Sequence, residues 1–129
     1  MIDHVSIGVR DLEKGTRFYE TALQPLGYRK LQVRSATVGF GKGYSEFWIN
    51  VRPDLGDAIS AAHVALRARS IQAVDSFYAA ALSAGGSCAG PPGARPQYGP
   101  TYYAAFVRDP DGNRLEAVTF VQAEGSPSL

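Results

Sequence analysis

The sequence predicts an α+β fold made of two tandem βαβββ units, and three observations predict it. The first is an internal repeat. Asp3-His4-Val5-Ser6-Ile7-Gly8-Val9-Arg10 returns as Ala62-His63-Val64-Ala65-Leu66-Arg67-Ala68-Arg69, an offset of 59 residues (from 4 to 63). The offset then holds without a gap through Leu12 and Ile71, Phe18-Tyr19 and Phe77-Tyr78, Ala22-Leu23 and Ala81-Leu82, and Gly27 and Gly86. Two copies of this length indicate duplication and fusion of one supersecondary unit rather than a solenoid. The second observation is period-two alternation at the start of each copy, and the third is a helical stripe directly after it.

In the first copy Val5, Ile7 and Val9 alternate with His4, Ser6 and Gly8, the pattern of a half-buried strand. Asp11 is placed to cap a helix whose stripe is Leu12, Phe18, Tyr19, Ala22 and Leu23. Gly27 ends it, and extended segments follow at 30–34, 36–40 and 46–51. In the second copy Ser70 takes the cap position, Val74, Phe77, Tyr78, Ala81 and Leu82 make the stripe, and Gly85-Gly86 end it. A weak strand near Ser87 and strands at 101–108 and 114–120 complete the unit. Asp109-Pro110-Asp111-Gly112-Asn113 joins the last two as a tight turn, with Pro second and Gly fourth. The Gly- and Pro-rich stretch 90–100 reads as a loop over the surface or a pocket. The expected organisation is one domain, with a first module at about 1–53, a connection at 53–60, a second module at about 61–121 and a tail at 122–129.

Composition limits the functional classes. The chain has 129 residues, 45% apolar and 19% charged, and a net charge of +1, with no basic run longer than Arg29-Lys30. Nothing there favours nucleic acid or an anionic membrane as partner. One cysteine, Cys88, excludes an intramolecular disulfide framework and the Cys-rich zinc modules. No stretch reads as a signal peptide or a membrane span, so the expected compartment is the cytoplasm.

The chain holds two histidines, and both occupy the same repeat position. An isolated histidine near a strand start is usually a surface or hydrogen-bonded residue, but this coincidence points to a shared role. Two similar units pack about a pseudo-twofold axis, which sets His4 opposite His63. If the valines face the helices, both imidazoles face the other side of their sheets. Glu116, between Leu115 and Ala117 in the final strand, is costly there unless paired or ligated. A salt bridge with an arginine is one outcome. The other is a His, His, Glu site with open positions, suited to iron and acceptable to zinc, nickel or manganese.

The His-initiated strand, the Phe-Tyr helix in both halves and the closing 109–116 segment resemble the vicinal oxygen chelate superfamily, the glyoxalase, bleomycin-resistance and extradiol-dioxygenase group. The resemblance covers residues 1 to about 121. It implies a cupped mixed sheet with helices outside, wrapped around a divalent metal, and a homodimer whose modules pair within or between chains. Family ligands sit on the first and last strands of each module, which carries over to His4, His63 and Glu116. For the fourth position, aligning Phe47-Trp48-Ile49 with Leu115-Glu116-Ala117 places Trp48, and a two-residue shift places Glu46. Trp48 keeps the flanking apolar residues in register and leaves three protein ligands, unlike glyoxalase I.

The resemblance implies a metal-dependent lyase or dioxygenase acting on a small molecule with neighbouring oxygens. Glu116 would serve as ligand, or would move protons when displaced. Trp48, Tyr98, Tyr102 and Tyr103 would wall the pocket, and Arg67 or Arg95 would pair with a substrate carboxylate. Arg67 shares the parity of His63. The alternative is a binding protein without catalysis, such as a drug-sequestering protein, which the retained ligand set argues against.

Overall fold

The computed structural model describes residues 1–57, 60 and 62–121. The first module contains β1 (Val5–Val9), α1 (Leu12–Ala22), β2 (Arg29–Val33), β3 (Thr37–Gly41) and β4 (Ser45–Val51). The second contains β5 (His63–Arg67), α2 (Ile71–Ser83), β6 (Ser87–Ala94), β7 (Tyr102–Arg108) and β8 (Arg114–Phe120). Each module makes a four-stranded mixed sheet, ordered β1-β4-β3-β2 in one and β5-β8-β7-β6 in the other. In both, the first strand lies parallel to the last and the remaining pairs are antiparallel. The duplication in sequence is therefore a duplication in topology.

Local chemistry starts both helices where expected, while α1 stops at Ala22, ahead of the expected Gly27. The Asp11 carboxylate accepts from the Lys14 amide and the Ser70 hydroxyl from the Ala73 amide, each satisfying one free N–H of a first turn. After α1 a single 3₁₀ turn, Gln24–Leu26, runs to Gly27 at φ 87°, a left-handed position that favours glycine. Phe18, Tyr19 and Ala22 from α1, Leu23 just after it, and Val74, Phe77 and Ala81 from α2 are fully buried. They form one continuous core with Phe40, Phe47, Ile49, Val107 and Leu115 of the two sheets. The helices pack on one another and α2 also lies on β6, β7 and β8, so the core sits between helices and sheets. Among the described residues no helix is long and apolar enough to cross a membrane.

One expectation needs correction. The stretch 90–100 is not wholly a loop, because β6 continues to Ala94 along the sheet edge. Its pairing with β7 is irregular between Cys88 and Gly90 and between Gly90 and Gly93. Pro91 and Pro92 fall inside that irregularity, on an edge strand, where no ladder N–H is required. The tail at 122–129, residues 58 and 59 of the connection, and residue 61 lie outside the described residues.

The 109–113 turn forms as read, with the Gly112 amide bonded to Asp109 O at 3.0 Å and Gly112 at φ 90°. It also ties the modules together. Buried Asp109 accepts from the Tyr19 hydroxyl at 2.5 Å, from Asn113 Nδ2 at 2.8 Å and from the Asn113 and Asp111 amides. Asn113 Nδ2 also donates to Gly8 O at 2.9 Å, and the Arg10 amide donates to the Asp111 carboxylate. Burial pushes the Asp109 carboxyl up, while its hydrogen bonds from Tyr19 and Asn113 pull it down.

Candidate functional site

Parity puts the candidate residues on the sheet faces turned away from the helices. In the first sheet Ile7, Val9, Phe47 and Ile49 are buried in the core. His4, Ser6, Trp48 and Asn50 line an open cavity of about 440 Å³ on the other side, with Gln32 and Arg34. His4 Nδ1 stands 2.7 Å from the Asp3 carboxylate, and half of its side chain is exposed. Trp48 lies opposite Gly39 of β3, where a Cβ would come within 2.8 Å of the indole, so glycine there makes room for the ring. The Arg34 guanidinium carbon sits 5.1 Å from the Trp48 ring centre.

The second sheet carries the denser cluster. His63 Nε2 stands 2.9 Å from Glu116 Oε1. Glu116 is only 3% exposed, flanked by the core residues Leu115 and Ala117. The Tyr102 hydroxyl donates to its other oxygen. The carboxylate is therefore gripped from both sides, which resolves the cost of placing it between apolar neighbours. Burial first, then the hydrogen bond and charge of Glu116, pushes the Tyr102 phenol up to about 12. The sign follows: a phenol with a raised folded-state value adds stability fully present below pH 10, its ordinary value, and lost as pH rises through about 12. We expect the unfolding midpoint of the parent to fall faster across that window than that of Tyr102→Phe. Thermal melts at several alkaline pH values measure this, and parallel slopes would contradict the coupling.

The structure brings together some predicted residues and separates others. His63, Glu116 and Tyr102 meet on the second sheet, whereas His4 lies on the first. Among the described residues of one chain no group of three or more His, Cys, Asp and Glu is placed to hold a metal ion. The pairing register relates the modules at the fourth position. Ser6 pairs with Trp48 and its repeat equivalent Ala65 pairs with Glu116, so Trp48 stands where Glu116 stands in the second module. Glu46 is two residues earlier, on the same face.

Arg67 stacks on Phe120, its guanidinium carbon 4.6 Å from the ring centre. Arg95 lies over Phe106 at 5.4 Å. Tyr98 is exposed and meets Tyr102 edge-on at 5.3 Å. Tyr103 does not wall this face: adjacent to Tyr102 in a strand, it points to the opposite side and donates to Asp75 of α2. Phe106, Phe120 and Arg114 were not anticipated. Arg114 precedes Glu116 by two residues, so parity alone could have found it. Phe106 is opposite Glu116 only through the β7–β8 register, which the sequence does not display.

The profile of the Glyoxalase/Bleomycin resistance protein/Dioxygenase superfamily matches residues 1–117. The chain belongs to this superfamily. Its fold is also that of solved superfamily members. A glyoxalase/bleomycin resistance protein from Albidiferax ferrireducens T118 is 30% identical with a TM-score of 0.78, over 90% of this chain and 95% of that one. A putative glyoxalase from Bacillus halodurans is 25% identical with a TM-score of 0.69, over 92% and 94%. The fosfomycin resistance protein FosX from Mesorhizobium loti, 23% identical with a TM-score of 0.68 over 92% and 91%, shares the fold. None of the functionally curated proteins matches the chain.

Proposed function

We propose that this superfamily member is a metal-dependent enzyme acting on a small molecule with neighbouring oxygens, by lyase or dioxygenase chemistry, at a site closed between two copies of the chain. The observation that carries the reading is the His63–Glu116 pair. Its 2.9 Å separation is a hydrogen-bond distance, and it is also the edge between two adjacent ligands each about 2.1 Å from a six-coordinate ion. The donor set therefore fits a divalent cation, with iron, zinc, nickel and manganese all compatible with imidazole and carboxylate. Such an ion would polarise vicinal substrate oxygens and stabilise negative charge developing on them. Tyr102, bonded to the outer oxygen of Glu116, would orient the carboxylate as a supporting residue does.

His4 completes the set only if the open face of the first sheet meets the second sheet of another copy. Twofold pairing would do this twice and make two equal sites. With Trp48 in the register of Glu116, three protein ligands remain and an aromatic wall replaces the fourth, which argues against the glyoxalase I reaction. The same wall supports the second reading, a protein that holds a small molecule without converting it.

Complementation tests the shared site. His4→Ala and Glu116→Gln chains should each lose metal binding by titration calorimetry. Refolded together at equal amounts, half of the dimers would be mixed and one of their two sites intact, restoring about one quarter of the parental capacity. No restoration would place all three ligands within one chain or dismiss His4 as a ligand. Parent protein that takes up no metal would leave the binding-protein reading.

A further inference from the structure

The one buried side-chain nitrogen or oxygen without a hydrogen-bond partner among the described residues is Arg114 Nε. Arg114 lies on the same strand face as Glu116, directly opposite His63 in the β5–β8 register. Its guanidinium carbon is 5.6 Å from the centre of the Phe106 ring. Arg95 lies 5.4 Å from the same ring, and the His63 imidazole meets it edge-on at 5.9 Å. Phe106 is itself the cross-strand partner of Glu116. Two guanidinium groups and an imidazole thus converge on one ring beside a single carboxylate.

The arginine ion pairs among the described residues involve Arg10, Arg17 and Arg52, and neither Arg114 nor Arg95 has one. The hydrogen bonds of the Arg95 side chain go to backbone carbonyls alone. Arg95 donates to Pro91 O at 2.5 Å and Ala94 O at 3.3 Å, folded across Gly90 and Gly93, where a Cβ would come within 3.3 and 3.0 Å of its terminal nitrogens. Arg114 lies against Phe106, and none of its guanidinium nitrogens has a hydrogen-bond partner among the described residues. A half-buried guanidinium without a counter-charge is costly, and an aromatic face offsets that only in part. A planar fork matches two oxygens of an oxyanion.

We propose that Arg114 and Arg95 form an anion subsite beside the His63–Glu116 pair, and that the substrate carries an oxyanion group there, a carboxylate or a phosphonate. This rests on the reading of the His63 face as the substrate face. The test uses this chain in metal-free buffer with a chelator, so it succeeds or fails independently of metal binding. Acetate and methylphosphonate are titrated in turn, followed by amide chemical shifts. At least one anion should bind saturably, and the tighter of the two identifies a planar or a tetrahedral head group. Arg114→Gln and Arg95→Gln should each weaken it at least about tenfold, and Arg114→Lys should fall between, keeping the charge without the fork. Should Arg114→Gln fail to fold, the surface-tethered Arg95→Gln carries the comparison. Absence of saturable binding by either anion, or unchanged binding in the folded glutamine variants, would overturn the proposal.

Discussion

If Glu116 is a metal ligand as proposed, Glu116→Gln should lower metal affinity by more than about 100-fold, beyond the 10–100-fold typical for a group that only supports a ligand. The substitution keeps the shape and one acceptor oxygen, so Tyr102 and His63 retain hydrogen-bonding partners and the melting temperature should move little. What disappears is the negative charge and one anionic donor beside His63 Nε2. Calorimetric titration with zinc and manganese on the folded variant reads the effect. Affinity equal to that of the parent would reduce the His63–Glu116 contact to a structural hydrogen bond and remove the basis for metal chemistry on this sheet. Separating the two readings needs both measurements, because a loss of fold also abolishes binding.

The second large effect is on stability. Asp109→Ala should destabilise the chain by about 3–5 kcal/mol, the scale seen when one partner of a buried hydrogen-bonded set is removed. Tyr19 and Asp109 are both buried, and the alanine would leave the Tyr19 hydroxyl and the Asp111 and Asn113 amides without their acceptor, while Asn113 Nδ2 would keep only Gly8 O. Against a total stability on the order of 5–15 kcal/mol this is a large fraction. The damage would not be confined to the turn. Tyr19 belongs to the first module and Asp109 to the second, and Asn113 also holds Gly8 of β1, so the docking of the halves weakens with it. Urea unfolding measures the change. A loss under about 1 kcal/mol would show that water replaces Asp109 readily and that apolar contacts alone hold the modules together.

Much of the fold was legible because it is written in local periodicity. The positions of Val5, Ile7 and Val9 set the buried face of β1, and the caps Asp11 and Ser70 set the helix starts by a hydrogen bond reaching only three residues. The 109–113 turn needed only its Pro and Gly. The reading of 90–100 as a loop went astray for a physical reason. Composition marks Pro and Gly as breakers, but an irregular edge strand has neither a full ladder nor a second neighbour, so it accepts both. Tyr103 was misassigned where parity should have prevented it, since Tyr102 and Tyr103 are adjacent in one strand.

Of the site, residue identity was legible and arrangement was not. That His63 and Glu116 share a face follows from alternation in β5 and β8, but their contact depends on the β5–β8 pairing, which joins segments some fifty residues apart in sequence. The same holds for Trp48, whose equivalence to Glu116 is decided by which residue lies beside Ser6. By itself the sequence determined the duplicated βαβββ units, their buried faces and the two histidines at equivalent positions, since each of these is carried by neighbours along the chain. Only the tertiary structure decided that His63 meets Glu116 and Tyr102 while His4 lies on the other sheet, and that Arg114 stands beside the pair. Strand register and module docking are set by contacts between distant segments, and no local pattern encodes them.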